Sequence, residues 1–341
     1  MSQAVEPSPR VTIKDVAAQA RVSVATVSKV INGRYGVAAA TVARVQAVIQ
    51  ELGYEASLVA QSLRNHRTNV LGILVADLEP FSTELLKGAA DGIRDTGYEL
   101  VIYSAGGRTS DHQGWERRYL SRLSGTLIDG AVLVTPTVVD VNYGAPTVAV
   151  DPHTGSGDQP TIDSDNLKGA QLAVEHLIAL GHTRIAMLTG RPDLVSAQLR
   201  EDGYRRAMRA AKLRVRTGMV AEGGYDPELS ARAARRLLTG PDRPTAIFAA
   251  NDTTAIATIA VAGELGLRVP EDLSVVGFDN IPESALCVPS LTTVEQPIQE
   301  MGRLAVHMLV RLIRGETVDP THVTLATRLL IRGSTARPWS P

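Results

Sequence analysis

The sequence predicts an all-α, helix-turn-helix head on a larger α/β body built from two doubly wound, parallel-sheet lobes. Three observations carry this. Apolar residues recur with helical spacing up to about residue 53. From Asn69 onward they form short continuous runs that alternate with amphipathic helices, the pattern of a parallel sheet covered on both faces. Charge divides at the same place. Residues 10–67 hold eight basic and three acidic side chains, a local +5, which leaves −6 on the rest of a chain whose total is −1. A small basic head on an acidic body is expected when only the head meets a polyanion.

The composition is that of a globular protein. The 341 residues are 44% hydrophobic and 21% charged, enough for two or three compact units with sizeable cores. Cys287 is the single cysteine, so an intrachain disulfide framework is excluded, which suits a reducing cytoplasm. No apolar run reaches the roughly 18 residues of a membrane span. Residues 1–9, with Glu6, Pro7 and Pro9, lack the apolar centre of a secretory signal and read as a disordered tail. The expectation is a cytoplasmic protein without membrane contact.

The head, residues 10–55, reads as three short helices. Thr12 caps the first, which turns Val16, Ala17 and Ala20 inward; Arg21-Val22 makes a tight turn. Ser23 caps a second helix over 24–31, stopped by Asn32-Gly33. A third, over 39–52, aligns Val42, Val45, Val48 and Ile49 and ends at Gly53. Two helices joined by a short turn can place the second in a major groove. Val24, Ala25, Thr26, Ser28 and Lys29 would then face the bases. Val24 and Ala25 can touch thymine methyl groups but cannot hydrogen-bond a base edge. Lys29 can reach guanine or a phosphate, and Thr12, Ser23, Ser28 and Asn32 suit phosphate oxygens. On helix spacing alone, a packing module without nucleic acid stays open.

Residues 56–68 form a linker whose helical stretch, 57–65, is too short to be stable alone. The body, 69–333, shows strands at 70–76, 99–103, 130–135, 147–150, 184–188, 246–249 and 273–277. Helices are expected near 82–96, 111–124, 166–180, 198–211, 227–239, 253–265 and 297–314, with a last strand over 322–332. So many units fit two sheets better than one. The expected lobes are 69–162 with 294–322, and 163–293 with 323–333, leaving 334–341 as a tail. In open parallel sheets ligands bind beyond the carboxyl ends of the strands. Strands here end at Asp77, Asp151, Arg191, Asn251-Asp252 and Asp279-Asn280, a set suited to a ligand rich in hydroxyl groups. Each residue alone could be a turn former.

No phosphate-cradling loop and no G-x-S-x-G appear, and the seven histidines lack ligand spacing. An enzyme is therefore not expected, nor a metal or other cofactor. His182, following Gly181 at a helix end, reads as a cap.

The run Val11 to Gly33, with Asp15-Val16-Ala17, Val22-Ser23, Thr26-Val27-Ser28 and Val30-Ile31-Asn32, resembles the DNA-binding head of the LacI/GalR family of bacterial repressors. The resemblance continues through Leu52-Gly53-Tyr54 and down the body to about residue 333. It implies a sequence-specific DNA-binding regulator with a periplasmic-binding-protein-like body, acting as a homodimer on a near-palindromic operator. It adds Tyr54 to the DNA contacts. Val59-Ala60-Gln61-Ser62-Leu63-Arg64 matches the family's hinge helix, which implies that Leu63 wedges into the minor groove with Arg64 beside it. Ala56 stands where many members have proline.

In the body the resemblance implies that Asp165 lies in the crossover, that Arg200 binds the effector, and that Asn251, Asp279 and Gln296 reach the same pocket. Asp77, at its strand end, is expected in the same pocket, and Tyr225 and Phe81 could offer rings to a ligand face. The Asp/Asn/Arg set and the apolar Val24-Ala25 pair point to a sugar or oligosaccharide effector, with carbohydrate genes as targets and release of the operator. A regulator answering to a purine co-repressor is the alternative. A transport solute-binding protein shares the body fold, but it should carry a signal peptide and no basic head.

Overall fold

The computed structural model describes residues 11–31, 33, 35–54, 67–106, 114–138, 144–153 and 159–338. It divides into Met1–Thr68 and Asn69–Pro341.

In the head, α1 (Ile13–Ala20), α2 (Val24–Ile31) and α3 (Ala39–Leu52) close around Val16, Ala20, Val27, Val30, Val45 and Val48. The caps set the boundaries. Asp15 Oδ2 accepts from Thr12 N at 2.8 Å and from Thr12 Oγ1 at 2.7 Å, fastening the first turn of α1. Arg21 ends α1 in the left-handed region, at φ 52°. Ser23 Oγ accepts from Thr26 N at 3.1 Å, so it caps α2. Gly53, at φ 59°, ends α3 where a side chain would be strained.

Among the described residues, the body holds two sheets of six strands. In the first lobe, β1 (Val70–Val75), α4 (Pro80–Gly92), β2 (Glu99–Ser104), α5 (Trp115–Leu123), β3 (Gly130–Val134), β4 (Thr147–Val150) and β5 (Thr161–Ser164) follow in turn. The chain then crosses to the second lobe. There it forms α6 (Asn166–Ala179), β6 (Ile185–Thr189), α7 (Val195–Ala210), β7 (Val220–Glu222), α8 (Pro227–Thr239), β8 (Ala246–Ala249), α9 (Asp252–Glu264), β9 (Ser274–Asp279), α10 (Pro282–Leu286) and β10 (Thr292–Glu295). It returns to the first lobe for α11 (Ile298–Ile313) and β11 (His322–Leu325), then crosses again for β12 (Arg328–Leu330).

The sheet orders are β11-β5-β4-β3-β1-β2 and β12-β10-β9-β8-β6-β7. Every pairing is parallel except β10 with β12. Each sheet is apolar on both faces. In β1, Ile73 packs with Leu85, Met301 and Leu309, while Leu74 faces Trp115, Leu120 and Ile128. In the second lobe, Leu188 and Val275 face one cluster and Phe248 and Val276 the other. Fully burying such a side chain contributes about 1.5–3 kcal/mol.

The structure corrects several expectations. The first crossing comes after Ser164, so β5 belongs to the first lobe; β10 belongs to the second, and the return comes after Glu295. The expected strand over 322–332 is two strands in different sheets. Residues 334–336 are not a free tail. Ser334 is buried, its carbonyl accepts from Val275 N at 2.9 Å, and its hydroxyl donates to Val275 O at 2.6 Å. His182 is a buried staple: Nδ1 meets Thr245 Oγ1 at 2.9 Å, and Nε2 meets Ala336 O at 2.9 Å and Ser274 Oγ at 3.1 Å.

Candidate functional site

In the head, α2 buries Val27 and Val30 and turns Val24, Ala25 and Lys29 to solvent. Thr26 and Ser28 are half-buried beside them. Ser23 is engaged as the cap, with its hydroxyl 2.9 Å from that of Thr26. Thr12 gives its hydroxyl hydrogen to Asp15, so as a phosphate ligand it must exchange that bond. Tyr54 is half-buried and packs on the head core. Asn32, Leu63 and Arg64 lie outside the described residues. Tyr35, fully exposed in the turn after α2, was not singled out from the sequence; its signal is an aromatic between Gly33 and Gly36.

In the body, the two sheets aim their carboxyl ends at one cavity of about 240 Å³. The first lobe contributes Asp77 and Glu79 after β1, Phe81 on α4, Thr135 after β3, and Asp151 and His153 after β4. The second contributes Arg191 after β6, Ser196 and Arg200 on α7, Tyr225 after β7, Asn251 after β8 and Asp279 closing β9. Nine residues other than glycine have positive φ among the described residues, and four of them, Thr135, Asp151, Tyr225 and Asp279, line this cavity. Such backbone costs about 1–3 kcal/mol per residue and collects where side chains must be aimed.

Arg200 is the organising cation. It is buried; Nε donates to Asn166 Oδ1 at 2.8 Å, and Nη1 donates to Ala250 O and, at 3.3 Å, to Asp279 Oδ1. Its guanidinium lies 3.8 Å from the centre of the Phe278 ring. Gln296 Nε2 donates to the same Asp279 oxygen at 2.6 Å, while its own carbonyl accepts from Ser164. Burial pushes the Asp279 carboxyl up to about 7, opposed by Arg200 and reinforced by Glu79 and Asp151. Asp151, which accepts from Ser196 Oγ at 3.0 Å, is raised by burial as well. Tyr225 is seated over Gly190, where a Cβ would fall 2.1 Å from the ring. Its hydroxyl is buried with no hydrogen-bond partner among the described residues. It is free to bond a ligand.

Six of the eight residues expected at the effector site line the cavity: Asp77, Phe81, Arg200, Tyr225, Asn251 and Asp279. The other two do not. Asp165 caps α6, its side chain accepting from Lys168 N at 2.9 Å. Gln296 stands behind Asp279 and positions it. Asn166, which orients Arg200, was missed, as were Glu79 and His153. Asp151 and Arg191, strand-end residues of the expected crevice, line the cavity as well, and so does Ser196, which was not singled out.

Residues 12–57 match the family described as "Bacterial regulatory proteins, lacI family", and residues 174–335 a "Periplasmic binding protein-like domain". The ribose operon repressor of Escherichia coli K12 is 37% identical over 331 residues, covering 95% of this chain and 99% of its own length. The chain belongs to the LacI family. The transcriptional repressor PurR of Vibrio vulnificus is 33% identical over 94% of this chain and 97% of its own length. Among solved structures, a complex of the regulator CelR with cellobiose superposes at a TM-score of 0.70 with 33% identity, covering 95% of this chain and 100% of that one. The lac repressor dimer bound to operator and the anti-inducer ONPF superposes at 0.80 with 28% identity, covering 96% and 99%. This LacI-family member is thus a DNA-binding transcription regulator with a periplasmic-binding-protein-like body. Among the described residues, no helix is long and apolar enough to cross a membrane.

Proposed function

We propose that the protein is a repressor of carbohydrate-utilisation genes, released from its operator by a small sugar bound between the two lobes. The observation that carries this is the cavity itself. Four carboxylates, two guanidiniums, an amide and an unpartnered tyrosine hydroxyl converge on a space flanked by two aromatic rings. Hydroxyl-dense ligands satisfy such a wall. Each buried group that a wrong ligand leaves unpaired costs about 1–3 kcal/mol. A cellobiose-bound relative and a ribose operon repressor support the same class.

The head reads DNA through Val24, Ala25, Thr26, Ser28 and Lys29, with Thr12, Ser23, Asn32 and Tyr54 on the backbone and Leu63 and Arg64 in the minor groove. The regulator acts as a homodimer on a near-palindromic operator. Two apolar surfaces of the body suit pairing with a second copy. One is Val101 and Ile102 on the edge strand β2; the other is Leu286, Val288 and Ile331, where Gly333 N bonds Ser290 O. No step calls for an enzyme's chemistry.

The likeness to PurR and the rings of Phe81 and Tyr225 favour a second reading, a purine that tightens operator binding. Operator selection on the purified chain, followed by release assays with mono- and disaccharides and with hypoxanthine and guanine, decides between them. A sugar that releases the operator is the expected result. For Arg200→Ala the expectation is operator affinity within about threefold of the original and effector affinity lower by a hundredfold or more, on the order of 3 kcal/mol. Tighter operator binding with a purine and no response to any sugar would reverse the proposal.

A further inference from the structure

Among the described residues, two side-chain contacts join the lobes above the cavity floor. One is the bond from Ser196 to Asp151 already described. The other lies further out. His153 Nδ1, from the segment after β4, sits 3.3 Å from Asp193 Oδ2, from the segment after β6. The same carboxylate is forked by Arg191, with Nε to Oδ1 at 3.1 Å and Nη2 to Oδ2 at 2.6 Å. Side-chain exposure climbs along this set, from 7% at His153 through 34% at Arg191 to 51% at Asp193, so the bridge runs from the cavity wall out to solvent. Burial lowers the His153 imidazole to about 4, so the ring is neutral near pH 7 and bonds the carboxylate with a hydrogen on Nδ1.

The cavity is small: at about 240 Å³ it falls below the roughly 300–1,000 Å³ of pockets that take drug-sized ligands. That suits one sugar ring with its hydroxyl groups and not two.

We infer that the His153–Asp193–Arg191 bridge is a specificity-determining gate that ties the two rims of the cleft together and restricts the effector to a single sugar ring. The inference rests on the sugar reading proposed above. A second ring, joined to the first through a glycosidic bond, must pass between the rims. It would part His153 from Asp193 and leave the buried imidazole without its partner. A single ring leaves the bridge closed, and the floor residues Arg200 and Asp279 bind it as before.

The test is calorimetric titration of the full chain with D-ribose, D-xylose, D-glucose, xylobiose and cellobiose. It compares the unaltered protein, His153→Ala, Asp193→Ala and Asp193→Asn, with circular dichroism and melting curves for each. The unaltered protein is expected to bind at least one monosaccharide about a hundredfold more tightly than either disaccharide. Both alanine variants should narrow that ratio by about tenfold or more. Asp193→Asn, which keeps an acceptor for His153, should narrow it less. A disaccharide bound as tightly as the best monosaccharide overturns the gate while leaving the sugar reading intact. A ratio unchanged in both alanine variants does the same, as does loss of all sugar binding by a folded alanine variant. No sugar bound by the unaltered protein overturns the sugar reading and the gate with it.

Discussion

Asp279 is where the chemistry of the cleft converges. One of its oxygens accepts from both Gln296 and Arg200, and its backbone sits at φ 112°, a conformation that residues with a side chain seldom take. The strain is tolerated because Asn280, at φ 60°, continues the same turn; its Nδ2 donates to Glu295 at 3.1 Å and its Oδ1 accepts from Arg332 at 2.7 Å. The raised carboxyl makes stability depend on pH in a definite direction. Between the ordinary value of 3.8 and about 7 the folded chain keeps a proton that the unfolded chain has released. Stability from this group therefore declines as pH rises through that window and is flat above it. Asp279→Asn removes the proton-linked part. In urea unfolding of the ligand-free protein at pH 5 and pH 8, the variant should lose less stability over the interval than the original, by on the order of a few kcal/mol. An identical loss in both proteins would place the titrating group elsewhere.

At the scale of elements, the first lobe depends on two helices that meet backbone to backbone. A Cβ at Gly88 on α4 would lie 1.8 Å from the Gln299 carbonyl oxygen on α11, and one at Gly302 on α11 would lie 2.2 Å from that of Leu85. Backbone cannot yield as a side chain can. Gly88→Ala should push the helices apart and destabilise the lobe by about 1–3 kcal/mol or more, read as a lower urea midpoint at unchanged slope; an unchanged midpoint would show that the helices slide freely. This contact was not legible in the sequence, because Gly88 and Gly302 are far apart along the chain. What was legible was local. The caps at Thr12 and Ser23, the stop at Gly53 and the apolar runs of β1, β3 and β8 each declare themselves within a few residues. β5, β7 and β10 did not, since Thr161-Ile162-Asp163-Ser164, Val220-Ala221-Glu222 and Thr292-Thr293-Val294-Glu295 are short and half polar. The site divides in the same way. Strand-end residues such as Asp77 and Asn251 are visible from position alone. Arg200, inside a helix, needed the family resemblance, and Asp165 misled because a crossover residue and a helix cap look the same in sequence. His153 and Asp193 meet only through the packing of two lobes.

At the scale of the molecule, the three crossings are bonded to one another as well as to the cleft. Ser164 in the first bonds Gln296 in the second, Thr327 Oγ1 in the third donates to Asp165 O at 3.1 Å, and Arg328 pairs with Glu295. Gln296 also holds Asp279, so a ligand that engages Asp279 acts directly on the hinge between the lobes. A change in lobe angle carried to the head would alter operator affinity. Linkage then fixes a quantity that does not depend on the path. If effector binding weakens operator affinity by some factor, operator binding must weaken effector affinity by the same factor. Factors of about 5 to 150 are typical of such coupling. We expect the effector dissociation constants of the homodimer's two cavities, measured with and without saturating operator DNA, to rise by factors whose product equals the factor by which saturating effector lowers operator affinity. Gln296→Ala should shrink both factors together by about tenfold, because it cuts the link from Asp279 to the hinge and leaves Arg200 in the cleft. Equal and undiminished factors in Gln296→Ala would mean that the signal leaves the cleft by another route. Factors of one in the unaltered protein, with neither affinity moved by the other ligand, would mean that cleft and operator are not coupled.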